Sequence, residues 1–448
     1  MGGSAFAPAA FGFTTPRMPP HIYREVKDSC HSMLRKIYVH VDTPIEGPGK
    51  ADFGDIDILV AVETCPPSKE PHPPGNAVER TTVEQLILIG EALKARASIM
   101  LSPPISANFA IPWPSSDHEH SALPDADRTR SDTDKHMGEK LIQVDVRICT
   151  DERQLNWALF KHAHSDIWNL LGSTIRPYGL TADEQALWLR ISEIEKYDRK
   201  QAKVKLTEDP VEVIRFLGME YGGFWTQPFV SAEALYEYVT TCRLFIIRDE
   251  PAAGCVRDNQ LDCALAVGGA EGRKKLRSND RRRMNTRPIY RRWIDEFIPR
   301  LLAEGWFICK DPETTVSQMR ATVRDEALER FSVEDDYKER LKAWRLKRET
   351  EFVKGVIKDL VPRDLEIRHR ATLISAFKKI ILEGDRSFGV SSASPLKNPG
   401  GVYDMELTRA FVAEKWEELD RVAWAAQLQR SREAMKAKAA KMESSQGI

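Results

Sequence analysis

The chain has few of the features that mark secreted or membrane proteins. Its seven cysteines among 448 residues are scattered without a CxxC pair. That excludes a disulfide scaffold or zinc ribbon and points to a reducing compartment, cytoplasmic or nuclear. No apolar run approaches the roughly 20 residues that a helical membrane span needs, so no membrane partner is expected. Net charge is almost absent, with 66 Lys and Arg against 67 Asp and Glu. Any electrostatic partner must therefore be read from local clusters. The opening MGGSAFAPAAFGFTTPRMPP lacks the charged region and continuous apolar core of a signal peptide. Phe6 stands where a myristoylation signal wants Ser or Thr. Residues 1–20 are expected to form a disordered leader. There is no internal repeat.

What is present suits two or three domains. From His21, REVKDSCHSMLRKI has helical spacing, with Val26, Met33, Leu34 and Ile37 on one stripe. KIYVHVDTP then alternates as a strand, IEGPGKADF has turn chemistry, and DIDILVAV returns as a second strand that could pair with the first. TVEQLILIGEALKARASIM reads as one helix capped by Thr81 or Thr82. SANFAIPW reads as a short strand, and the polar, Pro- and Asp-rich stretch at about 114–139 as a mobile insertion. KLIQVDVRIC alternates again, with Asp145 on its polar face. An aromatic-rich helix follows, then the strand-like ALWLRI, and Asp209 and Pro210 suit the N-cap and N1 of a further helix. The remainder reads mainly as helix.

The chemistry is concentrated in GPGKADFGDIDILVAVE. A strand alternates faces, so Asp55 and Asp57 share one face while Ile56, Ile58 and Val60 take the other. Two like charges side by side are unfavourable unless water or a cation lies between them. With Asp145 they form the pattern hhh-loop-DhDhhh … hhDhR, where h is apolar. Three such carboxylates suit two Mg2+ (or Mn2+) ions, whose hard oxygen shells are completed by water and triphosphate. In a two-metal scheme one ion activates an attacking hydroxyl and the other supports the leaving pyrophosphate. The Gly-rich turn before them could bring backbone N–H groups to phosphate, with Lys50 adding a point charge.

GDIDILV with a downstream IQVDV resembles the DNA polymerase β-type nucleotidyltransferase superfamily, and FKHAHSDIWNLLGSTIRPYGLT resembles uncharacterised fungal nucleotidyltransferase-like proteins. The resemblance covers roughly residues 21–300. It implies an α+β fold, a mixed-sheet polymerase β-type catalytic core followed by helical domains. It implies that Asp55 and Asp57 bind both metals and that Asp145 holds the ion activating the acceptor. The superfamily's Gly-Ser dipeptide is replaced here by EGPGK, so nucleotide contacts from Gly47, Gly49, Lys50 and Gly54 are a looser inference. Asp166, Asn169 and Ser173 would line the site. Arg176 and Lys205 are candidates for phosphate contact, or for solvated ion pairs.

Other signals carry less. The pair His162 and His164 looks like a chelate, but residues two apart on a helix face different ways. Trp157, Trp168 and Trp188 read as core. In the basic segment from Arg273 to Arg292, Arg282, Arg283, Arg287 and Arg291 flank Tyr290 and Trp293, a combination suited to RNA phosphates and base stacking, or to a solvated helix face.

The sequence thus leads to a leader at 1–20, a catalytic core at 21–200, a helical second domain at 201–300 bearing the basic segment, and a helical C-terminal region at 301–448. The expected activity is magnesium-dependent transfer of a nucleoside monophosphate from a nucleoside triphosphate to a hydroxyl, leaning to an RNA 3′ end. The alternatives are nucleotidylation of a protein or small molecule, a retired nucleotide- or RNA-binding module, and a helical scaffold. Protein partners are not legible.

Overall fold

The computed structural model describes residues 3–6, 8–64, 80–114, 139–247, 278–306, 315–398 and 401–445. The insertion expected at about 114–139, apart from its two end residues, and the basic run at 273–275 lie outside the described residues. The chain divides into two units, Met1–Val333 and Glu334–Ile448. The core and second domain read from the sequence thus fall in one unit, whose boundary lies at 333.

The first unit is built on a mixed sheet. Its strands β1 (Tyr38–Asp42), β2 (Asp55–Glu63), β3 (Ala97–Met100), β4 (Ser106–Pro112) and β5 (Leu141–Cys149) lie in the order β1-β2-β5-β4-β3. β2 and β5 are parallel, and the other neighbours are antiparallel. Strand alternation sends Ile56, Ile58, Val60, Val144, Val146 and Phe109 to one face. There they are buried with Ile22, Val26 and Leu34 of helix α2 (Pro20–Leu34), which follows the single-turn helix α1 (Pro8–Phe11), and with Leu86 and Ile89 of helix α3 (Thr82–Ala92). Thr81 caps α3 in a capping box with Glu84, as its spacing suggests. That helix is shorter than expected. It ends at Ala92, and after Lys94, whose φ is +54°, the chain turns into β3, where ASIM pairs with β4.

On the opposite face, helix α4 (Glu152–His162) lays Leu155 and Ala158 over Leu59, Ala61 and Cys149. At the other end of that face, the expected disordered leader is instead packed. Phe6 and Phe13 are buried against Ala110 and Leu141, Thr14 bridges Lys140, and Met18 bridges Phe53 with no exposed surface. These apolar residues have no regular period, and the sheet supplies the partners that order them.

A second sheet of β6 (Leu180–Ala182), β7 (Leu187–Arg190) and β8 (Lys203–Thr207) follows, after helix α5 (Ile167–Ile175). Asp209 caps helix α6 (Pro210–Phe216) through Val211 N–H, as expected. Helices α7 (Ala232–Thr240), α8 (Ser278–Thr286) and α9 (Val316–Phe331) complete the described part of this unit, with a helical stretch through 288–303. The second unit is helical. α10 (Glu334–Leu360), α11 (Ile367–Lys378) and α12 (Met405–Ser445) enclose Ile357, Leu373, Phe377, Phe411 and Leu419.

Met18 distinguishes a packed leader from a loose one. Met18→Ala should destabilise the first unit by about 2–4 kcal/mol in denaturant unfolding. A free leader would leave the midpoint unchanged.

Candidate functional site

β2 and β5 run parallel in a register that sets Asp57 directly opposite Asp145 and Asp55 opposite Gln143. All four side chains share one face, because paired residues of neighbouring strands lie on the same side. On the other flank Asn108 of β4 is opposite Asp145. The exposed Asp57 and the half-buried Asp55 and Asp145 thus lie between the packed leader at one end of the face and α4 at the other.

Asp145 is held from both sides. Gln143 Nε2 donates to its Oδ1 at 2.8 Å and Asn108 Nδ2 donates to the same oxygen at 2.5 Å. Burial nevertheless raises its pKa to about 6, against the lowering effect of those two donors. Asp57 is raised to about 7, by desolvation first and then by the charges of Asp55 and Asp145. Its side chain is nevertheless exposed, so the desolvation part of that shift is the weaker one. A cation that reached it would remove the repulsive part of that shift, and water screens part of the rest.

The loop from Ile45 to Gly54 closes the edge of the site. Glu46 contributes a further negative charge toward Asp57, accepts from Tyr23 Oη at 2.6 Å and pairs with Lys50. Tyr23 stacks on Phe53, and burial followed by Glu46 pushes its phenol far above the ordinary range. Lys50 is therefore committed to Glu46 and lies over the Phe53 ring. A Cβ on Gly47 would fall 2.8 Å from Ser165 Oγ, so the Ser165 side chain would have to shift to admit a larger residue. Gly49 takes φ +67°, and Gly54 is buried beside the leader. Asp52 pairs with Arg17.

α4 ends at His162, and His164 and Ser165 take φ near +55°. The backbone is thus non-helical where a shared chelate would require it, yet the two imidazoles diverge. His162 Nε2 lies 3.1 Å from Glu184, and it counts among the charges felt by Asp57. His164 is fully buried against Trp225 and Phe229, and burial lowers its pKa to about 4. Glu184 also takes Arg147 at 2.9 Å, and these partners hold it down at about 2.

Most of the remaining candidates have partners within the fold. Asp166 is buried and accepts from Asn169 Nδ2 and from Arg287 Nη1, both at 2.8 Å. Ser173 is buried and donates to the Leu170 carbonyl. Arg176 and Arg283 both pair with Asp280, whose side chain has no exposed surface. Lys205 pairs with Glu208 at the surface. Tyr290 and Trp293, expected as stacking platforms, are fully buried, because they belong to the apolar stripe that continues through Ile294 and Phe297. Of the four arginines read as RNA contacts, Arg282 and Arg291 are exposed, whereas Arg283 pairs with the buried Asp280 and Arg287 with the buried Asp166. Trp157 and Trp168 are core, as expected.

Sequence reasoning passed over Glu46 and Asn108. The signal for Asn108 was legible as a lone amide inside the apolar run ANFAI, since a buried polar group needs a partner. Among the described residues no group of three or more His, Cys, Asp or Glu is arranged to hold a metal ion unaided. Mg2+, however, commonly takes one or two carboxylates and completes its shell with water and substrate phosphate. Asp55, Asp57 and Asp145 are oxygen donors of the kind such an ion takes.

No protein-family model matches the chain, and the comparison with curated proteins found no match. Among solved structures, it is similar to Leishmania infantum polymerase beta. To the ternary P/T complex the identity is 15% and the TM-score 0.28, covering 46% of this chain and 75% of that one. To the ternary gap complex the identity is 14% and the TM-score 0.29, covering 46% and 69%.

Asp57 has a higher pKa folded than an unfolded carboxyl has, so the stability it lends is full below about pH 4 and is lost as pH rises through about 7. Asp57→Asn should accordingly raise stability at pH 8 by about 1 kcal/mol, the shift being discounted for solvent access. The gain should vanish near pH 4, as read from denaturant midpoints across pH.

Proposed function

We propose that the chain is a magnesium-dependent nucleotidyltransferase that moves a nucleoside monophosphate from a nucleoside triphosphate to an acceptor hydroxyl, with release of pyrophosphate. The observation that carries this reading is the register of two parallel strands. It puts Asp57 opposite Asp145 and Asp55 on the same face, where the charges of Asp55 and Asp145 weigh on Asp57. When bound, the ions would supply charge neutralisation at the triphosphate and a lowered pKa for the acceptor hydroxyl.

The residues of this chain do the positioning. Asp55 and Asp57 would hold the ions, and Asp145 would hold the one nearer the acceptor. Asn108 and Gln143 fix the Asp145 carboxylate through its Oδ1. Glu46, tied by Tyr23 and Lys50, fixes the edge of the loop. Gly47 and Gly49 give the loop backbone access toward a phosphate, with Lys50 available if it leaves Glu46. Catalysis then rests on placement and charge rather than on a covalent step.

The acceptor is a hydroxyl of RNA or of a protein or small molecule. Exposed Arg282 and Arg291 support an RNA 3′ end. The burial of Tyr290 and Trp293 favours the second reading, because it removes the aromatic platforms from the basic segment.

Purified protein given Mg2+, each α-labelled nucleoside triphosphate and a pool of short RNAs should transfer label, and Asp57→Asn or Asp145→Asn should abolish transfer while remaining folded. Label in RNA identifies the first acceptor and label on protein the second. A variant that unfolds while its folded fraction keeps full activity would show the aspartates to be structural. Gln143→Ala should cost about 10–100-fold in metal affinity or rate, measured by metal titration beside the transfer assay. If RNA is the acceptor, replacing Arg282 and Arg291 by Ala should weaken binding and flatten its salt dependence by about one phosphate contact each. Arg287→Ala should instead lower stability, by freeing the buried Asp166 carboxylate.

A further inference from the structure

We propose that residues 3–6 form an intramolecular plug over the carboxylate face, so that the resting protein is held back from binding its metal. Gly3 N–H donates to Asp55 Oδ2 at 3.1 Å, and Ala5 N–H donates to Gln143 Oε1 at 3.0 Å. Asp55 and Gln143 are direct partners across β2 and β5. The segment therefore crosses the parallel pair two residues from the facing Asp57 and Asp145, and it reaches Asp145 through Gln143, which donates to that carboxylate.

An amide proton and a cation compete for the same anionic oxygen, because both approach it with positive charge. The plug is anchored on two sides. Phe6 is buried with Phe13, Ala110 and Leu141, and Met18 is sealed against the chain at Phe53. Thr15 Oγ1 donates to the Gly3 carbonyl and so fixes the segment between the anchors.

Gly3 is the residue on which the close approach depends. It has φ +81°, and a Cβ there would come within 2.1 Å of the Gly54 carbonyl oxygen. Backbone cannot yield as a flexible side chain would, so any larger residue lifts the segment from Asp55. A ligand that takes Asp55 Oδ2 must displace the Gly3 N–H, and by linkage whatever withdraws residues 3–6 must tighten that ligand. An acceptor or partner that binds the leader would thus switch the site on.

This inference rests on the nucleotidyltransferase reading, and the test separates the two. Mn2+, alone and with a non-hydrolysable nucleoside triphosphate, is titrated, by electron paramagnetic resonance, into the wild-type full chain, Gly3→Val, and a variant lacking residues 2–6. Both variants should bind about tenfold tighter, the worth of one hydrogen bond to a charged group, and Asp55→Asn should cancel the gain. Gly3→Val retains Phe6 and Met18, and carries the comparison if the deletion fails to fold. Equal affinity in all forms overturns the plug and leaves the nucleotidyltransferase reading standing. Weaker binding in both variants overturns it too, since the segment would then build the site. Absence of Mn2+ binding in every form overturns both readings together.

Discussion

The parallel pairing of β2 with β5 is the constraint on which the site depends. Parallel neighbours cannot be joined by a tight turn, and here α3, β3 and β4 intervene in the chain between them. What the pairing secures is a register in which Asp57 faces Asp145. Slippage by one residue would turn Asp145 to the apolar face and break the core of Ile56, Ile58, Val144 and Val146. The buried face thus enforces the alignment of the charged one. Hydrophobic packing on α2 and α3 provides the free energy that holds like charges together.

That enforced proximity gives the site its character. The face is covered at one end by α4 and at the other by the leader, and the carboxylates lie in the stretch between. Burial and mutual repulsion keep Asp57 and Asp145 well above the usual carboxylate range. Neutral amides from Asn108 and Gln143 aim one oxygen of Asp145 without neutralising it, which leaves the charge for a ligand. The Glu46, Tyr23 and Lys50 cluster stiffens the neighbouring loop, and the Asp166–Arg287 and Asp280–Arg176–Arg283 pairs tie the basic helices to the segment after α4.

Much of this was legible in the sequence, because strand alternation has a strict period. DIDILVAV and IQVDV assign Asp55, Asp57 and Asp145 to polar faces without reference to any partner. The helix α2 and the caps at Thr81 and Asp209 follow from equally local chemistry. The illegible parts depend on contacts distant in sequence. Phe6 and Met18 stand in a Gly-, Ala- and Pro-rich leader without helical or strand period, and only the sheet shows that they are buried. KARASIM is rich in helix formers, yet pairing with β4 turns its end into a strand. Tyr290 and Trp293 were judged by their arginine neighbours, although their spacing with Ile294 and Phe297 already marks a buried helix stripe. Lys50 and Arg176 stand in the sequence as free cations, and only folding brings Glu46 and Asp280 to them.

The measurement closest to the central claim is the position of a bound ion. A crystal structure of the chain grown with Mn2+ and a non-hydrolysable nucleoside triphosphate should show anomalous density at about 2.0–2.3 Å from carboxylate oxygens of Asp57 and at least one of Asp55 and Asp145, with triphosphate oxygens completing the shell. Mn2+ and nucleotide bound away from this face, or neither bound while the three aspartates keep their hydrogen-bonded arrangement, would contradict the account.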